Sequence, residues 1–383
     1  MLRVICLASA IVLVPLATAS ADSAGDLGAN AALKYWQAFA TLPQFSDTES
    51  QALNADCLTM PLDAHARELV AKADYSLAML HRGAAITGCE WAGAVEEGVY
   101  ARFPQAPAAR LLSALACLRA RIRFEDHQNG PGLDDAIAAM TLGRHISRAE
   151  TAIMLLVGYA IESRSIEVLA MHLPRLDMRK VADLKTRLSV LPAGISVAAS
   201  LQSEEKYALD WFIRAVKEAR DNEALVNLMG SLEAIEGKPR DPVEAGRKSL
   251  AECGGTAEGV LKFAEAMRPS YKLMAQKVEL PVNEFQDEFN RETAKHSGNP
   301  VFKVFFPGID NIRRSQARYD ERRTLLQAAM AVQVEGREAL KKFTDPVVGG
   351  PLEYAAFPGG FELRSKWKLD DKPVTLVVGQ RGK

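Results

Sequence analysis

The sequence has little of what usually announces a chemistry. Its 383 residues include five cysteines, none in C-x-x-C spacing, so a zinc ribbon or a thioredoxin-type redox centre has no ligands. His65, His81, His127, His145, His172 and His296 never pair at four-residue spacing and no H-E-x-x-H occurs, so a metal-bound water lacks its ligand set. Charge of one sign is also missing. With Lys+Arg 47 against Asp+Glu 48 the formal net charge is -1, which excludes the basic footprint of a nucleic-acid binder. There is no G-x-S-x-G nucleophile elbow. Gly230 to Lys238 fails as a phosphate loop because Ile235 stands where the second glycine must be and Pro239 follows the lysine. No cofactor, metal or catalytic residue is assigned on these grounds.

Long hydrophobic runs are equally scarce. Val4 to Ala17, after the positive start at Arg3, is shorter than the roughly 20 residues a membrane span needs. Ala19-Ser20-Ala21 follows it at the spacing a signal peptidase reads, so 1–21 is expected to be a secretory signal peptide cut before Asp22. Loss of Arg3 leaves a near-neutral chain of net charge -2, expected in the periplasm or outside the cell. The mature chain keeps Cys57, Cys89, Cys117 and Cys253. Four thiols allow three full pairings, which spacing does not choose among, and Cys117 also reads as a small buried hydrophobe.

What is present is helical periodicity, with 48% apolar residues in the proportion of a globular protein. From Asn30 to about Glu338 apolar side chains recur every three or four residues. Leu111, Leu115, Leu118 and Ile122 form one stripe. After Asn129-Gly130-Pro131-Gly132 a second begins with Leu133, Ile137 and Met140, with Asp134 and Asp135 expected in its first turn. A single helix is expected over Asp63 to Arg82, a mostly buried one after Glu150, and a long final one from about Ile309 to Glu338. Asp241-Pro242-Val243-Glu244 has capping-box spacing. Leu42 to Pro61 lacks the pattern and is expected to be a surface loop. After Asp345 the period becomes two, and Phe361, Leu363, Ser365 and Trp367 alternate with charged residues. The fold class is therefore mainly α: stacked antiparallel helical hairpins over 22–344, closed by a small antiparallel β-meander over 345–383, one face of which must pack on the helices.

Three clusters invite a functional reading. Glu125, Asp126, Asp134 and Asp135 gather near one turn and are the first suspects for carboxylate chemistry; as cap residues they would be solvated. Tyr35, Trp36, Phe39 and Trp91 would dock an N-terminal helix or, as the minority view, offer a carbohydrate platform. Arg313, Arg314, Arg318, Arg322 and Arg323 are interleaved with acids on the last helix, the pattern of a solvated face, with an anion patch as the sharper alternative.

The segments N-A-A-L-K-Y-W-Q-A-F-A-T-L-P from Asn30, C-E-W from Cys89, N-P-V-F-K-V-F-F-P-G-I-D from Asn299, D-P-V-V-G-G-P-L-E-Y from Asp345 and G-G-F-E-L-R-S from Gly359 stand in an order that resembles an uncharacterised group of exported helical proteins from planctomycete-type bacteria. The resemblance covers nearly the whole mature chain and brings no activity with it. The Asp345 segment also resembles the D-P-x-G-x-P-x-x-Y tail of secretion pseudopilins, but the long N-terminal helix and the G-x-Y-P stretch of those proteins are missing. The hairpin from Arg110 to Ile146 resembles tetratricopeptide-type helix pairs without a 34-residue period. Stacked hairpins make a broad groove, so the expected function is non-catalytic binding or scaffolding in the cell envelope, with an envelope protein or polymer as partner and no nucleic acid. A hydrolase or lyase using dispersed carboxylates is the alternative.

Overall fold

The computed structural model describes residues 30–92, 95–149, 151–237, 241–306, 308–369 and 371–381. The leader expected over 1–21 and its cleavage point lie outside these residues. The helices are α1 (Ala31–Ala40), α2 (Asp47–Asp56), α3 (Ala64–Lys72), α4 (Asp74–Ala84), α5 (Gln105–Glu125), α6 (Asn129–Ser147), α7 (Ala152–His172), α8 (Met178–Ser189), α9 (Val197–Glu204), α10 (Asp210–Glu218), α11 (Asn222–Gly237), α12 (Pro242–Glu252), α13 (Ala257–Glu265), α14 (Arg268–Lys277), α15 (Val282–Lys295), α16 (Pro300–Phe305) and α17 (Gly308–Glu335). The chain ends in β1 (Glu353–Phe357), β2 (Gly360–Leu369) and β3 (Lys372–Gly379), an antiparallel sheet in sequence order. The mainly α class with a terminal meander is the fold observed.

Most helix starts have a local cause. Asn30, Asp63, Asp177, Thr256 and Asn299 each accept an amide of the first turn, and Asp241 accepts from both Val243 and Glu244. Three boundaries differ from expectation. The stretch Leu42 to Pro61 contains α2, fixed by a capping box between Ser46 and Glu49; of its residues Leu53 is fully buried, so no apolar stripe advertises it. The helix expected over Asp63 to Arg82 breaks at Ala73, which lets α3 and α4 face different neighbours. α6 begins at Asn129, because Pro131 falls in a first turn whose amides have no helical partner in any case. Asp134 and Asp135 therefore lie one turn deeper than expected.

Two apolar cores result. The first gathers α1 to α8, the later part of α17 and the sheet around residues such as Tyr35, Leu112, Phe124, Leu169, Leu325 and Leu363. The second gathers α9 to α16 around Phe212, Tyr271, Phe285 and Phe306. Three helices serve both, α15 through Val282 in the first and Phe285 and Phe289 in the second. On α7, Leu155 belongs to the second core while Met154, Val157 and Ile161 belong to the first; on α17, Ile309 and Ile312 belong to the second and Ala317 to Val332 to the first. This explains why α7 shows weak periodicity: its neighbours surround it.

The sheet lies on α7 and α17. Tight turns at Pro358-Gly359 and before Lys372 set the register, which pairs Phe357 with Gly360 and Leu363 with Leu376. Phe361, Leu363, Trp367, Val374, Leu376 and Val378 are buried, as the alternation predicts. The loop before it is organised by Asp345. One carboxylate oxygen accepts the Val347 and Val348 amides; the other accepts the Ser365 hydroxyl at 2.6 Å and the Lys366 amide at 3.0 Å. Gly349 and Gly350, at φ 73 and 81, turn the chain back in a conformation other residues resist.

α6 and α7 approach through glycine. A Cβ on Gly158 would stand 2.6 Å from the Gly143 carbonyl oxygen and 2.9 Å from the Ser147 Cβ. In an open helix Gly→Ala gains about 1 kcal/mol of propensity. Here the overpacking term dominates, and Gly158→Ala is expected to lower the unfolding free energy by about 1–3 kcal/mol, read from urea midpoints. A stabilised variant contradicts the close approach.

Candidate functional site

The four suspect acids do gather near the α5–α6 turn, but each is claimed by arginine. Asp126 forms a two-pronged pair with Arg67 of α3 at 2.7 and 2.8 Å. Glu125 meets Arg175 at 2.8 Å and accepts from Gln380 beyond β3 at 3.0 Å, and Asp134 meets Arg187 of α8 at 2.9 Å. The Arg67 hydrogen bond holds Asp126 below the usual carboxylate range; at Glu125 burial pushes upward, and Arg175 and Gln380 outweigh it. Asp135 is fully buried rather than solvated. It accepts Arg119 through Nε and Nη2 (2.7–3.1 Å) and Arg123 at 2.8 Å, with His81 Nε2 2.7 Å away. These pairs bind α3, α4, α5, α6 and α8 to one another. Each of the four carboxylates is thus engaged by at least one arginine.

Most of the other clusters' side chains are engaged within the fold. Tyr35 stacks on Trp91 with ring centres 5.9 Å apart, its hydroxyl lies 2.8 Å from His145 Nδ1, and Trp91 donates to the His145 carbonyl at 2.7 Å; the aromatics dock α1 on α4 and α6. Of the arginines on α17, Arg313 donates to the Leu280 carbonyl, Arg322 pairs with Glu167 at 2.5 Å, and Arg323 has Asp320 at 3.9 Å. Cys89, Cys117 and Cys253 are buried thiols outside any disulfide; burial pushes Cys89 and Cys117 up to about 12 and Cys253 to about 11. Cys117 packs in α5 with Ser165 Oγ 3.7 Å from its sulfur. Among the described residues no group of three or more His, Cys, Asp or Glu is placed to hold a metal ion, and no helix is long and apolar enough to cross a membrane.

Two arrangements escaped sequence reading. In the first, Glu162 of α7, Arg144 of α6 and Tyr319 of α17 meet at the junction of the three helices. Arg144 Nε reaches Glu162 at 2.6 Å, Arg144 Nη2 donates to the Tyr319 oxygen at 2.6 Å, and Tyr319 donates to Glu162 at 2.5 Å. Burial works against the guanidinium charge, and Glu162 and Tyr319 outweigh it, so Arg144 is held above the ordinary arginine value. In the second, Glu321 of α17 lies against Asp345 and Ser365 under the sheet. Burial first, and then the Asp345 charge, push Glu321 up to about 8. Residues 157 and 24 positions apart leave no spacing to read.

Beside the Glu162 junction lies a cleft of about 810 Å³ between α8 and α17. Val181 and Leu188 line one wall, Leu326, Met330 and Val334 the other, and Arg144, Lys185, Arg323 and Glu335 supply its charges. Its volume falls within the range of small-molecule sites. Pro192 and the residues beside it, read in the sequence as a helix stop, close one side. No protein-family model, curated protein or solved structure matches this chain.

Two expectations follow from these geometries. Asp135→Ala leaves buried Arg119 with Asp74 alone, at 3.2 Å, and should cost about 3–5 kcal/mol of unfolding free energy, whereas Asp134→Ala removes a partly exposed pair worth about 0–1 kcal/mol. Equal midpoints for the two variants in urea would contradict the burial argument. For Glu321 the folded value of about 8 exceeds the ordinary 4.5, so the folded chain holds the proton more tightly. Its contribution is present below 4.5 and is lost as pH rises through about 8. Glu321→Gln should flatten that decline in the melting temperature; an unchanged slope refutes the assignment.

Proposed function

We propose that the chain is an exported, non-catalytic binding protein of the cell envelope whose ligand seats in the cleft between α8 and α17. The observation that carries this reading is the contrast between that cleft and the acids. The carboxylates near the α5–α6 turn are consumed in arginine pairs, while the cleft offers an open apolar wall with positive charge. Ser189, the hydroxyl lining the cleft, donates to the Thr186 carbonyl at 2.7 Å and has no base as its acceptor. Export rests on the leader-like 1–21 segment and on the resemblance to exported helical proteins of planctomycete-type bacteria.

The alternative, a hydrolase or lyase using carboxylates, has one observation in its favour, the Glu321–Asp345 pair with Glu321 pushed up to about 8. That pair is 0% and 2% exposed and lines neither the cleft nor the three smaller pockets described, so none of these gives a substrate a route to it.

Fractionation tests the reading. The chain recovered from the envelope or periplasmic fraction should begin at Asp22 by mass spectrometry. A photo-reactive residue at Met178, on the cleft rim and 66% exposed, should cross-link an envelope component, and the same component incubated with the chain without irradiation should be recovered chemically unchanged. An intact 1–21 segment in the cytoplasm rejects export, and a converted ligand rejects the non-catalytic role.

A further inference from the structure

We propose that the cleft between α8 and α17 binds a single-chain amphiphile with an anionic headgroup, its alkyl chain along α17 and its head held by Arg323 and Lys185. The proposal rests on the binding-protein reading above and names the ligand class. On α17, Arg323, Leu326, Met330 and Val334 face the cleft at steps of three and four, so they form one stripe. From Arg323 to Glu335 that stripe runs about 18 Å at 1.5 Å per residue, the length of an extended chain rather than of a compact ring system. Met178 and Val334 stay 66% and 40% exposed at its rim, large apolar side chains that the fold leaves uncovered.

Charge decides the headgroup. Arg144 is already engaged by Glu162 and Tyr319, and Glu335 is engaged by Lys342. Arg323 is 43% exposed; it lies over the Tyr319 ring at 5.8 Å and meets Asp320 at a loose 3.9 Å. Lys185 is exposed and, among the described residues, is in no ion pair. The cleft therefore presents Lys185, in no ion pair among the described residues, and Arg323, only loosely held by Asp320, as cations able to take a further anion. A neutral ligand leaves them as they are in water, and a cationic one is repelled. A carboxylate or phosphate completes charge-assisted hydrogen bonds with both.

Calorimetric titration of the purified chain with dodecanoate, dodecyl phosphate, dodecanol and dodecyltrimethylammonium tests this. Both anions should bind and the other two should bind at least about tenfold more weakly. Each methylene removed from the anion should weaken it roughly threefold to fourfold. The stronger of the two anions identifies the source, a free fatty acid for the carboxylate and a phospholipid derivative for the phosphate. The double variant K185E/R323E, at exposed positions, should lose about tenfold or more in anion affinity with an unchanged circular dichroism spectrum. Ala331→Trp, which fills the cleft, should abolish binding. Equal binding of dodecanol, or anion affinity untouched by both variants, overturns the proposal. So does a dimer that Met178→Glu dissolves with no amphiphile bound, because the cleft is then a self-association face. If no amphiphile binds while Met178 still cross-links an envelope component, the ligand class falls and the binding-protein reading stands.

Discussion

The contact on which most else depends is the meeting of Arg144, Glu162 and Tyr319. It joins α6, α7 and α17 around Glu162, whose side chain is buried, so a carboxylate without partners there would be costly. Buried charges are costly to bring together, but once desolvated each is costly to leave alone, so the three helices have one arrangement in which all three groups are satisfied. Tyr159 stacks on Tyr319 with ring centres 4.9 Å apart, and the Gly143–Gly158 crossing lets α6 and α7 come close enough for the arginine to reach.

From that junction the two cores follow. α7 and α17 are long helices with apolar side chains in both, so fixing them against each other helps fix the two groups of helices they serve. The sheet then covers the remaining face of the same two helices, which explains how three short strands, marginal alone, persist at the chain end. Asp345 connects this cover to the loop before it and sets the electrostatic environment of Glu321 beneath. The cleft is what remains where α8 diverges from α17, with Arg144 of the junction in its wall. Structure and proposed site thus share a residue.

The helices were legible because their apolar faces repeat at three and four residues, and the meander because its period is two. α2 was not, since a capping box specifies it while Leu53 is its fully buried side chain; Ser46 and Glu49 were the available signal. Asp135 was placed at a solvated helix start because Asn129-Gly130-Pro131-Gly132 reads as a break, whereas Pro131 is compatible with a first helical turn. The buried polar groups were invisible for another reason. Glu162, Glu321 and Asp345 acquire their character from partners brought near by tertiary packing, and a charged residue in a sequence carries no mark of its burial. The cleft was foreseen only as a groove between stacked helices, because its walls come from segments more than a hundred residues apart.

A double-mutant cycle on Arg144→Ala and Glu162→Ala, read from urea unfolding, tests the central claim most directly. Each single variant should cost about 3–5 kcal/mol, and the double variant little more than either, since the second substitution removes a charge already stranded by the first. Additive losses, or single variants within about 0.5 kcal/mol of the parent chain, would show that the junction does not hold the helices together.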